Sequence, residues 1–236
     1  MRIAAIGDIH SGDRPRPHIM RRLAELEGLA DILLLCGDLT RYGRVSQAET
    51  LLAELSELTM PTFGVLGNHD YHHGEQEAIA DRLNEGGMTI LDGDGVTVTL
   101  GGEQIGIAGA KGFAGGFGIR AIPDFGEPIL REMYREMIAE AGKLEHGLRM
   151  LQTKVKVAML HYAPIVGTLQ GEDQQIWPFL GTSYLADVVD GNGATVVFHG
   201  HSHYGVERGI TPGGVPVRNV SMPLLKQHYV IYELQT

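Results

Sequence analysis

The chain has one cysteine and one tryptophan in 236 residues, and its aromatic content is only 6%. A lone Cys36 cannot close an intramolecular disulfide, which excludes a disulfide-stapled scaffold and fits a reducing compartment. Its expected place is that of a small buried residue on a strand. Long apolar runs are also missing. None reaches the length of a transmembrane helix, so no membrane partner is expected. The opening Met1-Arg2-Ile3-Ala4-Ala5-Ile6 runs into Gly7-Asp8 without a long apolar core or a small-residue cleavage site. It reads as a first strand, and the protein as cytoplasmic. Basic residues are scarce, with 19 Lys and Arg against 29 Asp and Glu and a formal net charge of −10. Extended nucleic acid needs a basic footprint, so no long nucleic acid is expected as a partner. A small anion held by metal remains compatible with that charge.

What is present is ordinary for a globular protein: 43% hydrophobic and 20% charged residues. The length suits one domain over 1–236, with a Gly-rich and helical insertion at about 111–150. Short apolar runs at 2–7, 31–36 and 62–66 read as strands, and the second is continuously apolar, as a strand covered on both faces would be. Helical spacing or composition marks 18–27, 46–58, 75–85 and 127–150. Ser46 with Glu49 three residues on has the form of a capping box. Strands alternating with helices imply parallel pairing through crossovers, which gathers functional groups outside the strands' carboxyl ends. Residues 88–108 read as hairpins, and 155–160 and 194–198 as further strands. The segments 204–210, 215–220 and 228–234 read as strands of a second, largely antiparallel sheet.

Of the eleven histidines, five lie in short motifs at these strand ends. In order the motifs are Asp8-x-His10, Gly37-Asp38, Gly67-Asn68-His69-Asp70, His161, and Gly200-His201-Ser202-His203. Each has a bland reading: a Gly-Asp is usually a turn, and a lone histidine at a strand end is usually a hydrogen-bonded loop residue. Five pieces, each at the carboxyl end of an expected strand, are poorly explained that way. An Asn carbonyl and an adjacent imidazole can supply a metal ligand and an acid/base group.

With these motifs the sequence resembles the calcineurin-like metallophosphoesterase superfamily, whose five-part signature it matches in order and type from residue 8 to residue 203. The resemblance implies an α/β fold, a four-layer α/β/β/α sandwich of two mixed sheets with a dinuclear metal site at the strand C-terminal edge. Two cations about 3.5–4 Å apart need a bridging ligand, and the two oxygens of Asp38 can span them. By similarity, Asp8, His10 and His203 complete one metal site, while Asn68, His161 and His201 complete the other. A shell of imidazole, carboxylate and carbonyl without thiolate favours Mn²⁺, Fe or Zn²⁺ and does not choose among them. In His201-Ser202-His203 both imidazoles are expected on one side of an extended segment, with Ser202 turned away.

The resemblance implies that paired cations neutralise a phosphate's oxygens and bring a shared water to a pKa of roughly 7, giving a hydroxide that attacks phosphorus in line. His69 is then not a ligand but faces the leaving group, as general acid or stabilising cation. Asp70 either orients His69 or caps the helix after it. His72 and His73 read as solvated loop residues, and His199 as a hydrogen-bonded core histidine. In related protein phosphatases the Gly-Asp pair is followed three residues later by another Asp; here that place is held by Arg41. Arg41 either forks onto a substrate phosphate or pairs with a surface carboxylate.

The expected function is a dinuclear metal-dependent phosphoesterase cleaving a phosphomonoester or phosphodiester in a small phosphorylated substrate, with nucleotides and cyclic nucleotides among the candidates. The alternative is a metal-binding scaffold on the same fold that does not turn over. The Gly-rich stretch 111–125 reads either as a surface loop or as a lid carrying specificity. The sequence leaves a homo-oligomer open.

Overall fold

The computed structural model describes residues 1–225 and 228–234. The first sheet is built by β1 (Arg2–Ile6), β2 (Ile32–Cys36), β3 (Thr62–Val65) and β4 (Thr89–Ile90), linked by α1 (Pro17–Ala24), α2 (Val45–Glu54) and α3 (Gln76–Glu85). The four strands pair in parallel in the order β1-β2-β3-β4. Both faces of β2 are buried along its whole length, which is why its sequence is continuously apolar. Ile3, Ala5, Ile32, Leu34 and Cys36 point into the space between two sheets. Ala4, Ile6, Leu33 and Leu35 point the other way, against Ile19 and Leu23 of α1, Leu51 of α2 and Ile79 and Leu83 of α3.

The second sheet holds β5 (Gly95–Leu100), β6 (Glu103–Gly109), β7 (Val155–Met159), β8 (Val196–His199), β9 (Arg208–Ile210) and β10 (Pro216–Asn219), in the order β5-β6-β7-β8-β10-β9. Its inner face brings Ile105, Ile107, Val157, Met159, Val196 and Phe198 against the first sheet. Its outer face is covered by α4 (Pro128–Met150), which contributes Ala141, Leu144 and Leu148, and by α6 (Ser183–Gly191), with Leu185 and Val189. The single turn α5 (Trp177–Leu180) precedes α6. The chain is thus a four-layer α/β/β/α sandwich of two mixed sheets. No helix among the described residues is long and apolar enough to cross a membrane.

The last strands depart from the expected antiparallel sheet. β10 runs parallel to β8 and only β9 pairs antiparallel on it. The final strand, β11 (Val230–Glu233), leaves that sheet altogether and pairs antiparallel with β1, Arg2 opposite Glu233. There Val230 enters the core between the sheets while Ile231 packs on the helix side, so the strand has cover on both faces. The capping box at Ser46 does not form either. Helix α2 begins one residue earlier, and the Val45 N–H is taken by Glu75 Oε2 at 2.9 Å, a cap supplied from another segment.

Within 111–150 the two halves differ. Residues 111–127 are irregular apart from one 3₁₀ turn, whereas α4 is the crossover between the parallel pair β6 and β7 and belongs to the outer layer. Buried Glu140 of α4 ties the halves together, accepting the Gly112 N–H at 2.9 Å and Lys143 Nζ at 2.7 Å.

Candidate metal centre

The loops that follow β1, β2, β3, β7 and β8 converge on one rim. The loops after β1 and β2 run side by side, with Asp8 N–H donating to Gly37 O at 3.0 Å and His10 N–H to Asp38 O at 2.9 Å. Among the described residues five non-glycine positions have positive φ, and four of them are Asp8 (+58°), His10 (+47°), Asp38 (+50°) and His201 (+68°). Such backbone costs on the order of 1–3 kcal/mol per residue and persists only where the surroundings over-determine it. Here it turns each side chain inward. His201 is therefore not on an extended segment as expected. Its left-handed backbone sends its ring to His161, at 4.7 Å between centroids, while the His203 ring lies 5.9 Å from that of His10.

Asp38 lies at the middle of the group. Its Oδ2 is 3.7 Å from His10 Nε2 and 3.9 Å from His69 Nε2, and its Oδ1 is 3.4 Å from His161 Nε2. Potential ligand atoms of Asp8, His10 and His203 lie within 4.8 Å of one another, as do those of His10, Asp38 and His69, and those of Asp38, His161 and His201. Asp38 is the residue common to the second and third groups. Burial, then the neighbouring carboxylates of Asp8 and Asp70, push the Asp38 carboxyl well above its ordinary range. Burial also pushes the Asp8 carboxyl up, but the hydrogen bond from His203 at 3.1 Å and the surrounding imidazoles outweigh it and hold it low.

The donor atoms fit cations in another respect. His161 Nδ1 faces the carbonyl oxygen of Cys36 at 3.1 Å, an acceptor only, so the ring proton sits there. Burial keeps this imidazole neutral, well below its usual pKa. The Nε2 lone pair is then aimed at Asn68 Oδ1, 2.8 Å away, and at Asp38 Oδ1. Three electron pairs converge, and a cation relieves their repulsion. His201 repeats the pattern, donating from Nε2 to Phe179 O at 3.2 Å and leaving Nδ1 free. His10 is pushed down to about 4 by burial, and its Nδ1 is buried without a partner.

His69 is half open, with 41% of its side chain exposed. Its Nδ1 donates to the Arg41 carbonyl at 2.8 Å, which turns Nε2 toward the centre. The position of Arg41 thus does orient His69, through a main-chain atom that any residue type offers. The Arg41 guanidinium lies over the Tyr42 ring at 5.3 Å and is solvent-exposed. Asp70 does not orient His69. It is fully buried and accepts from Leu39 N (3.1 Å), Thr40 N (2.7 Å), Thr40 Oγ1 (2.6 Å) and Gly67 N (2.8 Å), which locks the loop after β2 onto the loop after β3. Asp70→Asn turns a donor toward these N–H groups and is expected to cost about 1–3 kcal/mol of stability, read as a lower thermal midpoint.

Several supporting residues gave no signal in the sequence. Glu172 accepts Ser202 Oγ at 3.1 Å and Tyr204 N at 2.8 Å, fixing the turn that carries His201 and His203. Buried Ser202 is indeed turned away from the centre. His199 is a buried histidine bonded to Gly200 O and Thr168 Oγ1, and His73 donates to the Tyr42 carbonyl. Gly67 is required by close approach: a Cβ there would lie 2.2 Å from both N and Oδ1 of Asp38. Gly67→Ala is expected to cost about 1–3 kcal/mol. Gly142→Ala on α4, with nothing within 4 Å, is the control, expected to gain about 0.5 kcal/mol. Equal melting shifts would show that the packing at Asp38 is loose.

The sequence matches the profile of the calcineurin-like phosphoesterases over residues 1–205, a span that contains all the residues of the centre. Among curated proteins it has no match. Among solved structures the fold is similar to that of phosphopantetheinyl hydrolase from Mycobacterium tuberculosis, with a TM-score of 0.71 and 14% identity over 98% of this chain and 95% of that one. It is also similar to a protein of Thermus thermophilus, with a TM-score of 0.58 and 16% identity over 98% and 97% of the two chains. These identities carry the fold alone, while the profile spans most of the sequence, and on that ground the chain belongs to the calcineurin-like phosphoesterase family.

Proposed function

We propose that the protein is a dinuclear metal-dependent hydrolase of phosphoesters in small phosphorylated substrates. The observation that carries this reading is the single carboxylate of Asp38, shared between a His10–His69 group and a His161–His201 group. Asp8, His10 and His203 would hold one cation and Asn68, His161 and His201 the other, with Asp38 available to both. When bound, the cations supply positive charge to the phosphate oxygens and acidify a water. The chain's own residues supply the rest. Neutral, buried imidazoles offer lone pairs, Asp70 holds the two central loops in register, and His69 presents Nε2 where a departing oxygen would take a proton. The irregular segment 111–127 and the loops beside it carry specificity.

The test is elemental analysis of the purified protein, paired with a Mn²⁺-supplemented assay on bis-(p-nitrophenyl) phosphate and p-nitrophenyl phosphate. About two metals per chain with hydrolysis supports the reading. A chain that binds metal and cleaves neither ester is a scaffold.

A further inference from the structure

Lys111 is buried, and so is Glu140 beside it. A lysine is rarely enclosed unless its charge is answered, because taking an ammonium out of water is costly. Glu140 is answered more closely by other groups. Its Oε1 takes Lys143 Nζ at 2.7 Å and its Oε2 takes the Gly112 N–H at 2.9 Å. Lys111 Nζ stands 3.7 Å from that Oε2 and donates instead to the Gly112 carbonyl at 2.8 Å. What surrounds the ammonium is aromatic. The ring centroids of Tyr71, Phe113 and Tyr162 lie 5.2, 5.1 and 5.6 Å from Nζ, inside the reach of about 6 Å over which a ring face attracts a cation.

The three rings come from three loops of the rim. Tyr71 shares a 3₁₀ turn with His69 after β3, Phe113 follows β6, and Tyr162 follows β7, next to His161. One cation therefore gathers three loops by their side chains. The loop after β7 is also held through the main chain, where the Lys111 carbonyl accepts the His161 N–H at 3.0 Å and the Tyr162 N–H at 3.1 Å. Those bonds are open to any residue type, so the side chain can be tested apart from them.

Tyr162 passes the placement on to the ligands. Its ring stands nearly perpendicular to that of His161, at 83° and 5.4 Å between centroids, and lies 4.5 Å from that of His201. His201 is bound at Nε2 to the Phe179 carbonyl, and the Tyr162 ring supports the imidazole from the side, so the two contacts together fix where Nδ1 points. Groups that orient ligands without touching the metal typically govern metal affinity by about 10–100-fold.

Resting on the Asn68–His161–His201 group of the phosphoesterase reading, we propose that Lys111 is a positioning residue for that group, its buried ammonium drawing the Tyr162 ring against His161 and His201. The test titrates the metal-free protein with Mn²⁺ and counts bound metal after dialysis in the parent, in Lys111→Met and in Lys111→Met/Glu140→Gln. Methionine fills the space of the stem without the charge, and the double variant removes any cost of a Glu140 left short of a partner. Both variants are expected to take up Mn²⁺ about tenfold more weakly than the parent. Leu148→Ala, which opens a cavity under the same helix α4, is the control for lost stability. It should lower the melting temperature and leave Mn²⁺ uptake at the parent's level. A second readout needs no metal: the ring protons of His201 feel the ring current of Tyr162, so their NMR resonances should shift in both Lys111 variants and stay in Leu148→Ala. Parent-like uptake in the double variant overturns the proposal and leaves Lys111 as a counter-charge to Glu140. An equal loss of uptake in Leu148→Ala, or unmoved His201 resonances in the Lys111 variants, also overturns it. A parent that binds no Mn²⁺ overturns the metal-dependent reading beneath it, whereas a parent that binds Mn²⁺ alongside parent-like variants overturns the role of Lys111 alone.

Discussion

Asp38→Asn is expected to abolish hydrolysis and to lower the metal content of the purified protein together. The amide keeps the size of the side chain and one acceptor oxygen, so Oδ1 can still take the His69 N–H now held at 2.8 Å. What goes is the negative charge between the two groups of ligands. Asp8 and Asp38 are the buried carboxylates among the proposed ligands, and the other donors are neutral imidazoles and an amide. Removing one of two charges should weaken the hold on any cation in either group, because this side chain belongs to both. Loss of a preorganised charge-stabilising group costs on the order of 10²–10³ in turnover, and loss of the metals adds to it. The apo protein should respond oppositely: relieving a buried carboxylate whose ionisation is already disfavoured should leave its melting temperature unchanged or raise it. Full metal content with full activity on bis-(p-nitrophenyl) phosphate would remove Asp38 from the shared position.

The motifs around this residue were legible because metal chemistry restricts residue type. Only a few side chains offer the necessary lone pairs, and parallel strands were expected to bring Asp8, Asp38 and Asn68 to one edge, while the ligand roles came from the resemblance. The layers were legible for a similar reason, since Ile32–Cys36 is apolar at every position and needs cover on both faces. Long-range partnerships were not. Nothing local says that β11 crosses to pair with β1, because its alternation of Val230 and Ile231 serves either sheet. Contacts made by main-chain atoms left no trace either. The support of His69 is the carbonyl of Arg41, which no side-chain pattern at that position announces. Asp70 was visible as a residue but not as a clamp, because its four partners lie on Leu39, Thr40 and Gly67, one of them a side-chain hydroxyl.

His69→Ala separates proton transfer from metal binding. The ring is held at Nδ1 by the Arg41 carbonyl, presents Nε2 at 3.9 Å from Asp38 Oδ2, and lies against the His10 ring at 4.5 Å, so it adjoins His10 and Asp38, two of the proposed ligands. Being partly exposed, it is reachable by substrate. The variant is expected to keep its metals and lose turnover by roughly 10²–10⁴, the usual contribution of a positioned acid. The loss should depend on the leaving group. An alkoxide departing from an alkyl ester needs a proton as the bond to phosphorus breaks, while p-nitrophenolate is stable without one. Alkyl esters should therefore suffer the larger part of the loss, and p-nitrophenyl esters the smaller. Arg41→Ala keeps the carbonyl and should fall far short of either loss. Metal released by His69→Ala would make His69 a ligand instead. An equal loss with both leaving groups would reduce its role to electrostatic stabilisation of the phosphate, and a loss in Arg41→Ala matching that of His69→Ala would show that the guanidinium, not the main chain, is the group that matters at that position.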